Sequence, residues 1–266
     1  MLSRLCALWG REGRNSKMTT NAAPLLSVQG ITLRFGGVVA LDKVSFDVAL
    51  GQIAGLIGPN GAGKTTMLAM VGGDVRSDSG TITFDGRDVT HLPATQRARL
   101  GLARTYQIPR PFVGLTVFEH ALLAAQQAGG FRGQEAKARA AHAVEQCGMK
   151  DLANVAGAQL RLLDRKRLEV ARAIAGAPSL VLLDEVAGGL SDNEVTELTD
   201  IILALRDEGL TFLWVEHVVH ALMATAERMV CLSGGAIIAE GTPKEVLDHP
   251  LVIESYFGSS TFIEAH

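Results

Sequence analysis

The stretch Ile53-Ala-Gly-Leu-Ile-Gly-Pro-Asn-Gly-Ala-Gly-Lys-Thr-Thr66 decides the fold. Its first five residues, Ile53 to Ile57, form a short uninterrupted apolar run, the pattern of a strand buried on both faces. Gly58-Pro-Asn-Gly-Ala-Gly63 then breaks the run, and a helical stretch opens at Lys64. Strand, glycine loop and helix in that order, with the spacing GxxxxGK(S/T), predict a phosphate-cradling loop. Glycines let backbone N–H groups turn inward around phosphates, and the helix N-terminus adds the positive end of its dipole. In such a loop Lys64 reaches the β and γ phosphates and Thr65 ligates Mg²⁺. Gly58, Pro59, Asn60, Gly61, Ala62, Gly63, Lys64, Thr65 and Thr66 are therefore the candidate nucleotide-binding residues. A glycine turn followed by a surface lysine is the plainer reading of the same letters; the flanking strand and helix argue against it.

Phosphate chemistry with a metal also needs an acid. Far downstream, Leu180-Val-Leu-Leu183 is a second buried run, and it ends in Asp184-Glu185. On this reading Asp184 holds Mg²⁺ through its water shell and Glu185 polarises the attacking water as general base. Taken alone, an Asp-Glu after an apolar run is more often a turn; paired with the loop it becomes a site.

Around these two anchors the 266 residues are 47% hydrophobic but only 5% aromatic, so the core is built from Ala, Val, Leu and Ile, which suits layered α/β packing. A net charge of −3 gives no support to a polyanion as the main partner. Cys6, Cys147 and Cys231 lie far apart without a CxxC pair, so neither a disulfide framework nor a zinc site is suggested. The longest apolar stretch, Ala173 to Leu183, contains Pro178 and stops at Asp184, short of the roughly 20 residues a spanning helix needs. Leu2 to Trp9 fits a secretory signal poorly; residues 1–24 read as a disordered tail, with Met18 an alternative start.

Alternation predicts a strand from Leu26 to Phe35 whose phase slips at Gly30, and a second over Val44, Phe46 and Val48. Thr81 to Phe84 runs into the turn dipeptide Asp85-Gly86. From 116 to 150 the chain is helical in character. A basic helix over Asp164 to Ala177 comes next, then an amphipathic one over Asn193 to Asp207 and a buried strand over Thr211 to Val215. Ser233-Gly-Gly235 closes a hairpin, and Pro243 opens a final helical region.

A phosphate loop, a helical insertion and a strand ending in Asp-Glu together resemble the ATP-binding subunits of ABC transporters, from about residue 25 onward. The resemblance implies an α/β P-loop NTPase cassette with an antiparallel β subdomain, spanning 25–258, with a helical subdomain at about 108–176 and a tail at 259–266. It implies that Gln107, in Arg104-Thr-Tyr-Gln107, touches the Mg²⁺ or water region, that His217 contacts the γ-phosphate, and that Phe35 stacks on adenine. Glu185, His217 and Gln107 are then the catalytic candidates, and Thr65, Gln107 and Asp184 the metal candidates. More narrowly, Phe35-Gly-Gly37, Gly101 to Gln107, Leu115-Thr-Val-Phe-Glu119, Arg167 to Arg172, and Glu240-Gly-Thr-Pro243 with Ile253 to Gly258 resemble the branched-chain amino acid importer branch. That branch implies ATP and Mg²⁺ as cofactors, two integral-membrane permeases and a second ATP-binding subunit, the same or different. A periplasmic solute-binding protein takes part indirectly, and the chain sits peripherally on the cytoplasmic face of the inner membrane. No nucleic acid is expected.

Three departures from the family pattern stand out. The signature stretch, usually Leu-Ser-Gly-Gly-Gln or Leu-Ser-Tyr-Gly-Gln, aligns with Leu160-Arg-Leu-Leu-Asp164, so Arg161 and Leu163 replace the serine and second glycine that meet the opposite subunit's γ-phosphate. Val186 follows Glu185 where proline is usual, and Ser191 stands where an aspartate is common. The run Arg161, Arg165, Lys166, Arg167, Arg172 reads as a solvated or interface helix face rather than a nucleic-acid patch. Two rival readings stand beside the importer subunit: a soluble ABC-type ATPase acting on DNA or ribosomes, and a non-hydrolysing regulatory nucleotide binder.

Overall fold

The three short apolar runs are strands in which every residue is buried: β3 (Ile53–Ile57), β7 (Leu180–Asp184) and β8 (Thr211–Val215). The structure, a computed structural model, describes residues 23–105, 112 and 114–257. The predicted N-terminal tail up to residue 22, Gln107 with the segment Ile108 to Pro111, and the C-terminal tail lie outside the described residues.

Before β3 come β1 (Leu26–Phe35) and β2 (Val38–Val48). After it come α1 (Lys64–Gly72), β4 (Ser79–Phe84), β5 (Arg87–Asp88), α2 (Ala94–Arg99) and β6 (Leu102–Arg104). The helical portion holds α3 (Val117–Gln127), α4 (Gly133–Gln146) and α5 (Leu162–Ala175). Past β7 the chain runs through α6 (Asp192–Asp207), β8, α7 (Val219–Thr225), β9 (Arg228–Ser233), β10 (Ala236–Gly241), α8 (Pro243–Leu247) and α9 (Pro250–Phe257). The sequence pattern did not reveal α2 or β6, which are six and three residues long and too short to show a period.

The strands form an antiparallel sheet in the order β2-β1-β4-β5 and a larger sheet in the order β10-β9-β3-β8-β7-β6. In the larger sheet only β10 runs antiparallel to its neighbour. The slip at Gly30 is real: the β1–β2 register shifts between Val28 and Ile31, with Gly30 at φ +62°. Alternate residues of the larger sheet face two different cores. Ile53, Ile57, Leu183, Phe212 and Trp214 pack toward α3 to α6, while Leu56, Leu182, Leu213 and Val215 pack against α1 and the antiparallel sheet. A sheet covered on both sides explains strands with no polar alternation.

The helix after the glycine loop has its far end secured. Arg97, 1% exposed, donates to the carbonyls of Met70 and Val71 at the end of α1 and to those of Leu92 and Thr90. It thereby satisfies carbonyls that a helix C-terminus leaves open. Its burial pushes the guanidinium pKa down to about 10.

Candidate functional site

Strand order brings the motifs together. In the sequence β3-β8-β7 of the sheet, Leu56 pairs with Val215 and Val215 with Asp184, so the three strands end level. The segments leaving these strands therefore meet along one carboxyl edge: the glycine loop after β3, Glu216-His217 after β8 and Glu185 after β7. Ligands of open α/β sheets bind at such an edge.

The loop needs its glycines for two distinct reasons. A Cβ on Gly58, whose φ is +148°, would lie 2.1 Å from the Leu232 carbonyl oxygen, and one on Gly63, at φ +103°, would lie 2.7 Å from that of Ala40. The loop is thus wedged between β9 and the β1–β2 hairpin. Lys64 opens α1 almost fully buried, and its Nζ donates to the carbonyls of Gly58 at 2.7 Å and Pro59 at 3.1 Å. Burial lowers its pKa while Glu185, Cys231 and Asp184 pull it back up. Thr65 is exposed on the first turn of α1 and Thr66 half-buried. A cation, a helix N-terminus and left-handed glycines are the components of an anion site.

Asp184 is buried at the end of β7; its Oδ2 accepts from Arg104 Nη2 at 2.9 Å, and its Oδ1 has no hydrogen-bond partner among the described residues. A buried carboxylate oxygen left without a donor, its carboxylate close enough to act on Lys64, fits a hard, oxygen-seeking divalent cation. Glu185 sits in the left-handed region at φ +48°, held by its amide donating to the Val215 carbonyl at 2.9 Å. A non-glycine residue there is strained, and such strain clusters at sites where geometry matters. Glu185 Oε2 lies 3.7 Å from His217 Nδ1, and the imidazole is more exposed than the carboxylate.

Phe35 ends β1 as a residue 56% exposed, on the hairpin that abuts Gly63. The structure thus gathers Lys64, Asp184, Glu185 and His217, and sets Phe35 on the adjoining hairpin. Gln107 is outside the described residues.

Leu160 is buried, Arg161 is the N-cap of α5 without a side-chain cap hydrogen bond, and Leu162 is exposed. A Cβ on Gly189 would meet Leu162 at 3.3 Å, and one on Gly188 would meet the His217 ring at 3.4 Å. Ser191, which stands where an aspartate is common, has a local structural role: its hydroxyl and amide both donate to Glu194, closing a capping box at the start of α6.

The basic run, read as a solvated or interface helix face, needs correction at Lys166, its one buried member. Lys166 is only 4% exposed; its Nζ donates to the Glu185 carbonyl at 3.2 Å, and Glu216, Glu185 and Glu169 compensate its charge. A lysine on a charged stretch looks solvated in a sequence because its largest counter-charges, Glu216 and Glu185, follow β8 and β7, far away in the chain. Arg104, Glu216 and Tyr256 were missed for the same reason. Tyr256, on α9, accepts a hydrogen bond from the Gly58 amide at 2.8 Å through its hydroxyl.

Residues 41–188 match the family model described as ABC transporter, and residues 236–260 match that of a branched-chain amino acid ATP-binding cassette transporter. The chain is 38% identical to the high-affinity branched-chain amino acid transport ATP-binding protein LivG of Salmonella typhimurium, over 89% of this chain and 99% of that protein. It is 36% identical to BraF of Pseudomonas aeruginosa, a protein of the same description, with the same coverage. It is also 36% identical to the lipopolysaccharide export system ATP-binding protein LptB of Escherichia coli, over 88% of this chain and 97% of that one. Among solved structures, a nucleotide-free ATP-binding cassette from an ABC transporter superposes with a TM-score of 0.81 at 27% identity, covering 89% of this chain and all of that one. An ABC transporter cassette in its ADP conformation superposes equally well, at 28% identity. With its loop, its acid and its sheet order in place, the chain belongs to the ABC transporter family as an ATP-binding, ATP-hydrolysing cassette.

Proposed function

We propose that this cassette powers an importer of branched-chain amino acids or related small polar solutes, working with two permease subunits and a second ATP-binding subunit. The observation that carries the reading is the meeting of Lys64, Asp184, Glu185 and His217 at one sheet edge. The match of residues 236–260 to the branched-chain type supports the importer over an export role such as that of LptB. Among the described residues no helix is long and apolar enough to cross a membrane.

In this reading Lys64 exchanges its bonds to Gly58 and Pro59 for the β and γ phosphates, and the loop amides and the N-terminus of α1 take up the remaining phosphate charge. Thr65 and Asp184 would hold Mg²⁺, which neutralises developing phosphate charge when bound. Glu185 accepts the proton of the attacking water, and His217, beside it, donates toward the γ-phosphate. Phe35 offers its exposed ring to the adenine. Closure around ATP is passed to a permease at the cleft of about 220 Å³ between the β6 edge, α3 and α5, lined by Arg104, Glu169 and Arg172. With Arg161 and Leu163 in its signature stretch, this subunit completes its partner's site poorly, which favours a heterodimer.

The test is co-expression with candidate permeases and partner cassette, purification and reconstitution. Glu185→Gln should bind ATP as the unaltered protein does and lose at least about 100-fold in phosphate release. Loss of binding and hydrolysis in equal measure refutes the assignment of Glu185. Hydrolysis insensitive to the cargo and its binding protein refutes the importer.

A further inference from the structure

We propose that Glu216 is a positioning residue that fixes the separation of the Glu185 turn and the His217 loop by holding one with each carboxylate oxygen. The side chain is fully buried. Oε1 accepts from the Ala187 amide at 2.6 Å and from Trp214 Nε1 at 3.2 Å. Oε2 accepts from the amides of His217 at 3.3 Å and Val218, more weakly, at 3.5 Å. Ala187 lies two residues past Glu185, so one side chain bridges both loops of the candidate catalytic pair.

A buried carboxylate is a costly way to fill space, since desolvation disfavours its charged form unless donors repay it. Here burial raises the Glu216 pKa while the Ala187, Trp214 and Val218 N–H groups and His217 pull it down. Among its neighbours, Glu216 is the charge that acts most on the buried Lys166, and the Lys166 ammonium grips the Glu185 carbonyl. Glu216 and Lys166 thus tie α5, whose N-terminus carries the altered signature, to both loops. A leucine would fill the volume but would leave both loops without their common anchor.

This proposal rests on the roles assigned above to Glu185 and His217, and a double-mutant cycle separates the two. Glu216→Gln keeps the shape but has one accepting oxygen, so in either amide orientation one loop is released. In the assembled transporter, kcat, KM and equilibrium ATP binding are measured for the unaltered protein, Glu216→Gln, His217→Ala and the double variant. Expected is a fall in kcat of about 10- to 100-fold for Glu216→Gln with ATP affinity unchanged. The double variant should be little slower than His217→Ala alone, because residues acting as a unit are non-additive. Unchanged kcat, additive losses, or an equal loss of ATP affinity overturns the proposal. A fully active His217→Ala overturns the reading of His217, and the proposal falls with it; a slow His217→Ala beside an additive Glu216→Gln overturns the proposal alone. Should Glu216→Gln fail to fold, Glu216→Asp, one methylene too short to span both loops, is put through the same cycle with the same criteria.

Discussion

Arg104 Nη2 donates to Asp184 Oδ2 at 2.9 Å, while Nη1 of the same guanidinium donates to Asp74 at 2.7 Å. Arg104 ends β6 and Asp184 ends the adjacent β7, so neighbouring strands place donor and acceptor together. Asp74 lies just past α1, and the planar fork therefore links the end of the phosphate-loop helix to the metal candidate. One Asp184 oxygen is fixed, and the other has no hydrogen-bond partner among the described residues.

Outer groups that orient a metal ligand typically matter by about 10- to 100-fold in metal affinity. Arg104→Gln should weaken the Mg²⁺ dependence of nucleotide binding by about tenfold at the low end of that range. ATP binding in the presence of a chelator should not change, because the Arg104 fork engages Asp74 and Asp184. Titration of Mn²⁺ into the protein–ATP complex, followed by electron paramagnetic resonance, reads the metal directly. An unchanged metal affinity would refute the orienting role.

The two loop glycines with the largest and smallest crowding give a paired prediction. Gly58→Ala places a Cβ 2.1 Å from backbone, where nothing flexible can yield, and should destabilise the fold by about 3 kcal/mol. Gly61→Ala, at φ +81° with nothing within 4 Å of the new atom, meets only left-handed strain of about 1–2 kcal/mol. Urea unfolding of the two variants measures the difference, and equal losses would show that the Leu232 contact relaxes.

Much of this was legible in advance because the informative signals are local. Five apolar residues followed by glycines at fixed spacing name both a strand and its loop. Asp184 and Glu185 likewise advertise themselves by ending a buried run. Arg104, Lys166, Glu216 and Tyr256 carry no local signal, since each acquires its meaning from a partner tens to hundreds of positions away: Lys166 from Glu216, Tyr256 from Gly58. Within the basic run, the burial of Lys166 is hidden from the sequence for this reason, while its other members keep partly or fully exposed positions. The Ser191 departure does carry a local signal, since Ser191-Asp-Asn-Glu194 has the capping-box spacing that the structure shows closed.

His120 gives a pH prediction with a definite sign. Its Nδ1 lies 2.7 Å from the Thr116 carbonyl and its Nε2 accepts from the Phe112 amide at 2.8 Å, which requires the neutral ring with the proton on Nδ1. Burial is the main cause lowering its pKa below 6.5; Arg172 adds to the shift, and the Thr116 bond and Glu119 oppose it. The unfolded chain thus takes up the proton first, so this group's contribution to stability is present above pH 6.5 and fades as pH falls through the lowered folded value. Glu169 and Glu216, whose pKa values burial raises, contribute with the opposite sign. The comparison that isolates His120 is therefore the stability of the unaltered protein minus that of His120→Phe. That difference should shrink from pH 7 to pH 5 in thermal unfolding, and a difference that grows on acidification would refute the neutral assignment.

At the signature stretch the structure predicts a gain. Arg161 occupies the N-cap of α5 with extended backbone and no side-chain cap, leaving first-turn amides without a side-chain acceptor. Serine at such a position stabilises a helix by about 1 kcal/mol over a non-capping residue. Arg161→Ser should therefore raise the unfolding free energy by about 0.5–1 kcal/mol, whatever it does to turnover. In the reconstituted heterodimer it should also speed hydrolysis at the partner's loop, because a hydroxyl then replaces a long cation where the family contacts phosphate. Leu163 is buried and still lacks the second glycine's close approach, so Arg161→Ser alone restores only part of that rate, and adding Leu163→Gly at a cost in packing should restore more. Stability is read by urea unfolding of the single cassette, and partner-site turnover by a partner-active, self-inactive pair carrying Glu185→Gln. A stability gain without any change in partner turnover would separate the two roles of Arg161 and confine it to the helix.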